Sequence, residues 1–129
     1  MHVATGPAYG ALARLRTEGG APPLGSVLER GVPSDWDAVV RGAVNDFESV
    51  VPKASPPVAE ALNILRDFGA PLALLSGSGG AVFGLPWEGD PGACLATLRA
   101  AAPGVRWEAV PTLATLPEPE EVVPGGGIG

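Results

Sequence analysis

The sequence LALLSGSGGAVFGL, from Leu72 to Leu85, places two short apolar runs on either side of five small residues. Apolar runs of this length bounded by glycine indicate two buried strands joined by a turn. The linking tract, Ser76–Gly80, is longer than a two-residue hairpin turn requires. Its glycines leave the backbone uncovered, so its N–H groups can line a concavity for an anion. A glycine-rich hairpin that binds nothing is equally consistent with these residues.

Helical periodicity flanks this hairpin on both sides. Before it, apolar residues recur at helical spacing after Pro56-Pro57, and Gly69 stands where a left-handed residue ends a helix. These apolar residues are Val58, Ala61, Leu62, Leu65 and Phe68. After the hairpin, we predict a helix over Gly92–Ala102 that places Leu95, Leu98 and Ala102 inward, and then an alternating strand over Val105–Val110. This order predicts an α+β fold. One more strand, located upstream or near residues 1–4, would complete a ferredoxin-like split βαβ unit.

Three shorter helices are predicted in the first half of the chain. Thr5 is the expected N-cap of a helix that begins near Pro7 and runs to Arg16. Ser34 is the expected N-cap of a helix over 35–41, with Trp36 on its apolar face. Asn45 and Asp46 are the expected caps of residues 47–51. Residues 24–30 are predicted to form a short turn or helix.

Composition limits the function classes. The net charge is −6 with only eight lysines and arginines, so no basic stripe exists to bind nucleic acid. No apolar run approaches membrane-spanning length and no signal peptide is recognisable, so we expect a soluble, cytoplasmic protein. The single cysteine, Cys94, excludes an internal disulfide and is expected to be buried. From the sequence we predict one folded domain over 1–116 and a disordered Pro/Gly/Glu tail over 117–129.

Catalytic constellations are sparse in this sequence. Ser76 and Ser78 have no partner, because His2 is the only histidine. Metal-ligand spacing does not occur, and the glycine tract matches neither a P-loop nor a dinucleotide fingerprint. Asp46 and Glu48 form a candidate carboxylate pair, although a capping role at a helix start explains them better. We therefore predict no catalytic residue and no metal site in this chain.

Several motifs together resemble those of a known family. They are VATGPAY at Val3–Tyr9, NDFE at Asn45–Glu48, GAP at Gly69–Pro71, and the glycine tract followed by Val82-Phe83. This set resembles the carboxyl-terminal half of the 4-diphosphocytidyl-2-C-methyl-D-erythritol kinase family. That family belongs to the superfamily of galactose, homoserine, mevalonate and phosphomevalonate (GHMP) kinases. The family patterns are V-S-T-x-x-A-Y, N-D-[LF]-E and S-G-[ST]-G-x-x-V-F, and the resemblance covers residues 3 to about 113.

The resemblance implies a ferredoxin-like domain, with helices on one face of a small antiparallel sheet, that forms one wall of an active-site cleft. The motif loop beside the phosphates would consist of Ser76, Gly77, Ser78, Gly79 and Gly80. Tyr9 would stack on the cytosine of a cytidine diphosphate-type substrate, with Thr5 and Gly6 alongside. A core aromatic on a helix face is the alternative for Tyr9. ATP and Mg²⁺ are implied for the complete enzyme, which phosphorylates the substrate 2-hydroxyl in non-mevalonate isoprenoid biosynthesis, and neither is expected to bind this chain alone.

In that family, the amino-terminal half carries the P-x-x-x-G-L-G-G-G-S phosphate loop, the catalytic aspartate and a lysine. None of these motifs is present here, and phosphoryl transfer depends on them for positioning and charge stabilisation. We therefore expect a fragment, a split gene product or a truncated reading frame that is inactive without a separate amino-terminal half. Two alternatives are a stand-alone module that binds a cytidine ligand or, through an unpaired sheet edge, a protein, and an inert truncated product.

Overall fold

The computed structural model describes residues 2–19 and 33–112. This part of the chain contains five α-helices, one 3-10 helix and one two-stranded sheet. The α-helices are α1 (Thr5–Thr17), α2 (Trp36–Gly42), α3 (Val51–Ala54), α4 (Pro56–Asp67) and α5 (Pro91–Ala101). The 3-10 helix is Asp46–Ser49, and the strands are β1 (Ala73–Ser76) and β2 (Ala81–Gly84). The predicted α+β class is confirmed.

The hairpin around the glycine tract is confirmed, but the predicted burial of both strands is wrong for β2, where Val82 is half-buried and Ala81, Phe83 and Gly84 are exposed. Strands β1 and β2 pair antiparallel with Leu75 opposite Val82 and Ser76 opposite Ala81, so residues 77–80 form the turn. In β1, Ala73 and Leu75 lie on one face and are buried. Helix α4 packs against both strands. The hairpin is therefore anchored on one face and projects the turn beyond it.

Helix α4 has the strongest apolar pattern in the chain, and it forms where that pattern predicts. Pro56 begins it, at a position where a missing N–H costs nothing. At its other end, Gly69 has a φ of 88°, and the amides of Gly69 and Ala70 donate to the carbonyls of Arg66 and Leu65. This pair of bonds is the Schellman motif, which requires the left-handed residue that Gly69 provides.

Two clusters of buried side chains form the interior, and α4 contributes to both. One cluster joins α4 to β1, α5 and the segment that follows α5: Ala61, Leu65, Ala73, Leu98, Ala102 and Trp107. The other joins α4 to α1, α3 and β1: Ala8, Val51, Val58, Leu62 and Leu75. Cys94 is buried, as predicted, and no polar or charged residue of the described ranges is fully buried. The described interior thus contains no charged side chain.

Two of the predicted caps are wrong. Helix α1 begins at Thr5 itself and its N-cap residue is Ala4, without a side-chain bond. The N-cap of α2 is Asp35, whose carboxylate accepts from the amide of Ala38 at 2.7 Å, rather than Ser34. Asp35 caps the helix because its carboxylate reaches a free N–H group of the first turn.

The predicted inward positions of Trp36 and Phe68 are also wrong. Trp36 is 55% exposed, and Phe68 is 39% exposed and stacks on Trp87 with ring centroids 5.5 Å apart. Phe68 is the C-cap residue, immediately after the last residue of α4. At this end of the helix, Phe68 therefore packs against Trp87 instead of lying in the buried core.

The strand predicted over 105–110 does not form. Its alternation holds in part, because Trp107 is 8% exposed while Arg106 and Glu108 are exposed, but no described strand pairs with it. A β-ladder needs a neighbouring strand as well as the right pattern. The predictions for residues 24–30, for the boundary at 116 and for the tail lie outside the described residues. No helix within 2–19 or 33–112 is long and apolar enough to cross a membrane.

Candidate functional site

The glycine loop, Ser76–Gly80, adopts a conformation that depends on its glycines. The φ angles of Gly77, Gly79 and Gly80 are 56°, 121° and 90°. Residues other than glycine rarely adopt such φ angles, and a φ of 121° lies beyond even the left-handed helical region. A Cβ atom at Gly79 would also lie 3.1 Å from the side chain of Val3. Gly79 is therefore required both by its dihedral angle and by close packing.

Three backbone amides of the glycine loop have no hydrogen-bond acceptor within the described residues. The amide of Gly79 donates to the carbonyl of Ser76 at 3.2 Å and closes the turn. The amides of Gly77, Ser78 and Gly80 have no acceptor among the residues that the structure describes. Successive N–H groups in a turn of this kind form a concavity suited to an anion.

Asn45 fixes the base of the glycine loop. Its side-chain amide nitrogen donates to the carbonyl oxygens of Leu75 at 2.7 Å and Gly77 at 2.8 Å. Its amide oxygen accepts from the backbone N–H of Phe47 at 2.9 Å and caps the 3-10 helix. The predicted capping role of Asn45 is confirmed, and the same side chain also binds one carbonyl at the end of β1 and one in the glycine loop.

Glu48 holds the outer edge of β1. One carboxylate oxygen accepts from the backbone N–H of Leu75 at 2.8 Å, and the other accepts from Arg66 at 3.0 Å. Arg66 in turn donates to the carbonyl of Ala73 at 3.2 Å. Asp46 pairs instead with Arg16 at 2.5 Å. The two carboxylates of the NDFE motif thus have separate cationic partners, which does not fit a catalytic pair.

Tyr9 projects from α1 and is 59% exposed, so the alternative of a core aromatic is wrong. Its ring contacts the ring of Phe47 edge to face, with centroids 4.8 Å apart and planes at 80°. Phe47 is half-buried and follows Asn45 in the motif. A continuous set of contacts therefore runs from the ring of Tyr9 through Phe47 and Asn45 to the glycine loop.

Thr5 and Gly6 lie in the first turn of α1, and both are exposed. The residues that lead into this turn approach the loop, because the side chain of Val3 lies against Gly79. The free N–H groups and the dipole of a helix N-terminus favour negative charge. The structure thus brings the first turn of α1 toward the same end of the hairpin as the glycine loop.

The sequence did not predict the bonds that Asn45 and Glu48 make to the hairpin or the contact of Phe47 with Tyr9. The polar side chains of the NDFE motif, which can donate and accept hydrogen bonds, are the sequence feature from which the bonds of Asn45 and Glu48 could have been inferred. His2 makes no hydrogen bond to Ser76 or Ser78 within the described ranges. Those ranges contain no group of three or more metal-ligating side chains.

Comparison with known proteins gives a consistent result. Residues 27–103 match the family model described as GHMP kinases C terminal. Over 72 residues the chain is 35% identical to 4-diphosphocytidyl-2-C-methyl-D-erythritol kinase from Rhizobium johnstonii. That similarity covers 56% of this chain and 24% of the relative, so the chain spans about a quarter of the relative's length. The family match includes the NDFE motif and the glycine loop, and it excludes Tyr9.

Proposed function

The chain belongs to the GHMP kinase carboxyl-terminal family, and from that membership we propose that it is the carboxyl-terminal part of an ATP-dependent small-molecule kinase. The proposed substrate is a cytidine diphosphate-linked alcohol, as in the relative from Rhizobium johnstonii, and the proposed pathway is non-mevalonate isoprenoid synthesis. In the proposal, an amino-terminal kinase domain supplies the nucleotide loop and the catalytic base. We propose that this part of the enzyme has no kinase activity by itself.

The topology supports this assignment. The order α4, β1, β2, α5 is the central portion of a ferredoxin-like split βαβ fold, with α4 packed on both strands. Within that fold the turn of the hairpin lies at one end of the sheet, where a second domain can close over it. The proposal places the substrate phosphates at that end.

The observation that carries the proposal is the set of contacts from Tyr9 to the glycine loop. Asn45 orients the loop through two carbonyls and, through Phe47, is connected to an exposed aromatic ring. A pyrimidine can stack on the exposed ring of Tyr9, while free loop amides and the first turn of α1 face the diphosphate. Thr5 and Gly6 would line this path. In the proposal, Tyr9 therefore binds the cytosine base, and the glycine loop with the first turn of α1 binds the phosphates.

The described residues do not fit a magnesium site. No cluster of ligating side chains is present within them, and the carboxylates of Asp46 and Glu48 are paired with arginines. The loop carries no lysine or arginine to hold a phosphate by charge. In the proposed enzyme, this chain positions the acceptor substrate and excludes water from one side, and ATP with Mg²⁺ would bind the other half.

Calorimetric titration of cytidine 5′-diphosphate into the full chain tests the proposal. We expect saturable binding, and a loss of about tenfold in affinity for Tyr9→Ala, because stacking on an aromatic ring contributes about 1–3 kcal/mol per base. Trp36→Ala is the matched control, since Trp36 is also exposed but lies on α2. Equal affinity for the Tyr9 variant would overturn the stacking role.

A second measurement tests the kinase assignment itself. The chain is mixed with the amino-terminal half of the Rhizobium johnstonii kinase, ATP, Mg²⁺ and 4-diphosphocytidyl-2-C-methyl-D-erythritol, and transfer of phosphate is followed. Turnover that needs both chains supports the proposal. Nucleotide binding without turnover in the mixture favours a stand-alone binding module instead.

A further inference from the structure

Helix α1 is attached to the buried core along a narrow line. Only Ala8 and Leu12 of this helix are buried, and they lie one turn apart on the same face. Ala11 and Tyr9 project to opposite sides of that line, about 160° apart around the helix axis. On the side of Ala11, a groove of about 220 Å³ lies between α1 and α3. The contacts on the side of Tyr9 therefore decide how the helix is rotated and where this ring points.

Two side chains on the Tyr9 side of α1 contact the 3-10 helix. Tyr9 and Arg16 are seven residues apart, close to two turns, so they share one face about 10 Å apart along the helix axis. The ring of Tyr9 contacts the ring of Phe47 with centroids 4.8 Å apart. Arg16 donates to the carboxylate of Asp46 at 2.5 Å. Because Asp46 and Phe47 are consecutive residues, the start of the 3-10 helix contacts α1 at two separate points.

The ion pair between Arg16 and Asp46 joins residues that are 30 positions apart in the chain. The two side chains are 35% and 30% exposed, so solvent screens their attraction less than that of a fully exposed pair. A helix held by the aromatic contact alone can pivot about that contact. A second contact two turns away removes this freedom. The aromatic contact and the ion pair together therefore hold α1 in one rotation against the 3-10 helix.

We propose that Arg16 is a positioning residue for the nucleotide site: through Asp46 it fixes the rotation of α1 and so holds the ring of Tyr9 against Phe47. Its consequence for ligand binding rests on the proposed function. Arg16 lies in the last turn of α1, whereas the proposed phosphate path runs past the first turn, so Arg16 does not touch the ligand. It acts by pre-organisation, because a ring that is already ordered loses less conformational freedom when a base stacks on it.

Arg14 provides a matched control in the same turn of α1. It is exposed, lines a cavity on the other side of the helix with Leu15 and Lys53, and makes no ion pair within the described residues. Its replacement by alanine changes the net charge as much as the same change at Arg16, but leaves both contacts with the 3-10 helix in place. An effect of net charge alone on an anionic ligand therefore appears in both variants.

The position of the ring can be followed by NMR of the full chain labelled with ¹³C-tyrosine, because Tyr9 is the only tyrosine. The shifts of its ring signals depend on the neighbouring ring of Phe47, and Phe47→Leu supplies the reference shifts without that ring. Arg16→Ala and Asp46→Ala should each move the signals toward this reference, whereas Arg14→Ala should leave them in place. Arg16→Lys keeps a charged donor for Asp46 and should restore most of the wild-type shift.

Titration with two ligands separates positioning from direct contact. Cytidine carries the base without phosphates, and cytidine 5′-diphosphate carries both. Compared with Arg14→Ala, the Arg16→Ala variant should bind both ligands more weakly by the same factor of about two to five, as expected for the loss of a partly exposed ion pair. The double variant Arg16→Ala with Asp46→Ala should bind cytidine as weakly as either single variant, because all three lack the same contact.

Unchanged Tyr9 signals in both alanine variants overturn the proposal. A loss of affinity confined to the diphosphate also overturns it, because Arg16 then contacts the phosphates itself. If the wild-type chain binds neither ligand, the proposed substrate class fails, and the Tyr9 signals alone decide whether Arg16 positions the ring. If Arg16→Ala does not fold, Asp46→Asn, which keeps an acceptor and removes the charge, is read in the same way.

Discussion

Asn45 donates its side-chain amide to the carbonyl oxygen of Leu75 at 2.7 Å, across a separation of 30 residues. The same nitrogen reaches Gly77, and the amide oxygen accepts from Phe47. One side chain therefore holds the start of the glycine loop and the start of the 3-10 helix in a fixed relation. The position of Tyr9, which rests on Phe47, follows from it.

Replacing Asn45 by alanine should lower the free energy of unfolding by about 2 kcal/mol, because a helix cap and two bonds to backbone carbonyls are lost together. Asn45→Asp separates these contributions. Aspartate caps as well as asparagine but turns an acceptor toward two carbonyls, so it should be at least as destabilising as alanine. Urea unfolding measures both variants. A fully stable Asp variant would show that the loop bonds contribute nothing.

Asn63→Ala is the matched control for this series. Asn63 is exposed on α4 and makes no side-chain hydrogen bond within the described ranges. Its replacement should change the unfolding free energy by less than about 0.5 kcal/mol, as is usual at surface positions. An equal loss for both asparagines would contradict the assigned role of Asn45.

Glu48→Ala should also destabilise the chain by about 2 kcal/mol, since the N–H of Leu75 loses a charged acceptor and Arg66 loses its partner. Glu48→Gln keeps an acceptor for Leu75 and should recover more than half of this loss. Glu60→Ala, on the exposed face of α4, is the control. Chemical denaturation gives the order of the four proteins. If Gln is as damaging as Ala, the bond to Arg66 rather than the bond to Leu75 is the important one.

The hairpin, α4 and α5 could be predicted from the sequence because their signals are local. Apolar spacing, Pro56 and Gly69 define α4 within one window, and glycines at the turn define the two strands. Cap residues were less certain, because adjacent residues such as Ser34 and Asp35 can both serve. The N-cap is the residue that adopts the extended backbone conformation just before the first turn, here Asp35, and the sequence pattern does not specify which of the two residues does so.

The contacts that assemble the candidate site could not be predicted in the same way. The bonds from Glu48 and Asn45 to Leu75 span 27 and 30 residues, and no local spacing encodes such a pairing. The segment 105–110 illustrates the same limit. Its alternation correctly placed Trp107 inward, but strand formation depends on a neighbour that the local sequence does not provide.

Gly79→Ala should lower the free energy of unfolding by about 1–3 kcal/mol, because φ at this position is 121° and the new Cβ meets Val3. The double variant with Val3→Ala removes the steric contact but not the strained angle. We therefore expect only partial recovery in thermal or urea unfolding. Gly104→Ala, at a glycine with open space around it, is the control. Complete recovery in the double variant would mean that packing alone requires the glycine.

Phe47→Leu tests the link between the aromatic ring and the loop. The substitution removes the edge-to-face contact with Tyr9, a pair interaction of about 0.5–1.5 kcal/mol, while an apolar side chain of similar volume stays in place. If the contact fixes the ring for stacking, cytidine 5′-diphosphate should bind about threefold to tenfold more weakly, since part of that energy is spent on ordering Tyr9. Phe68→Leu disrupts a different aromatic pair, with Trp87, and should leave nucleotide affinity unchanged. Calorimetry on both variants compares them directly. An equal loss of affinity in the two would assign the effect to general destabilisation, and undiminished binding in Phe47→Leu would show that Tyr9 is positioned without it.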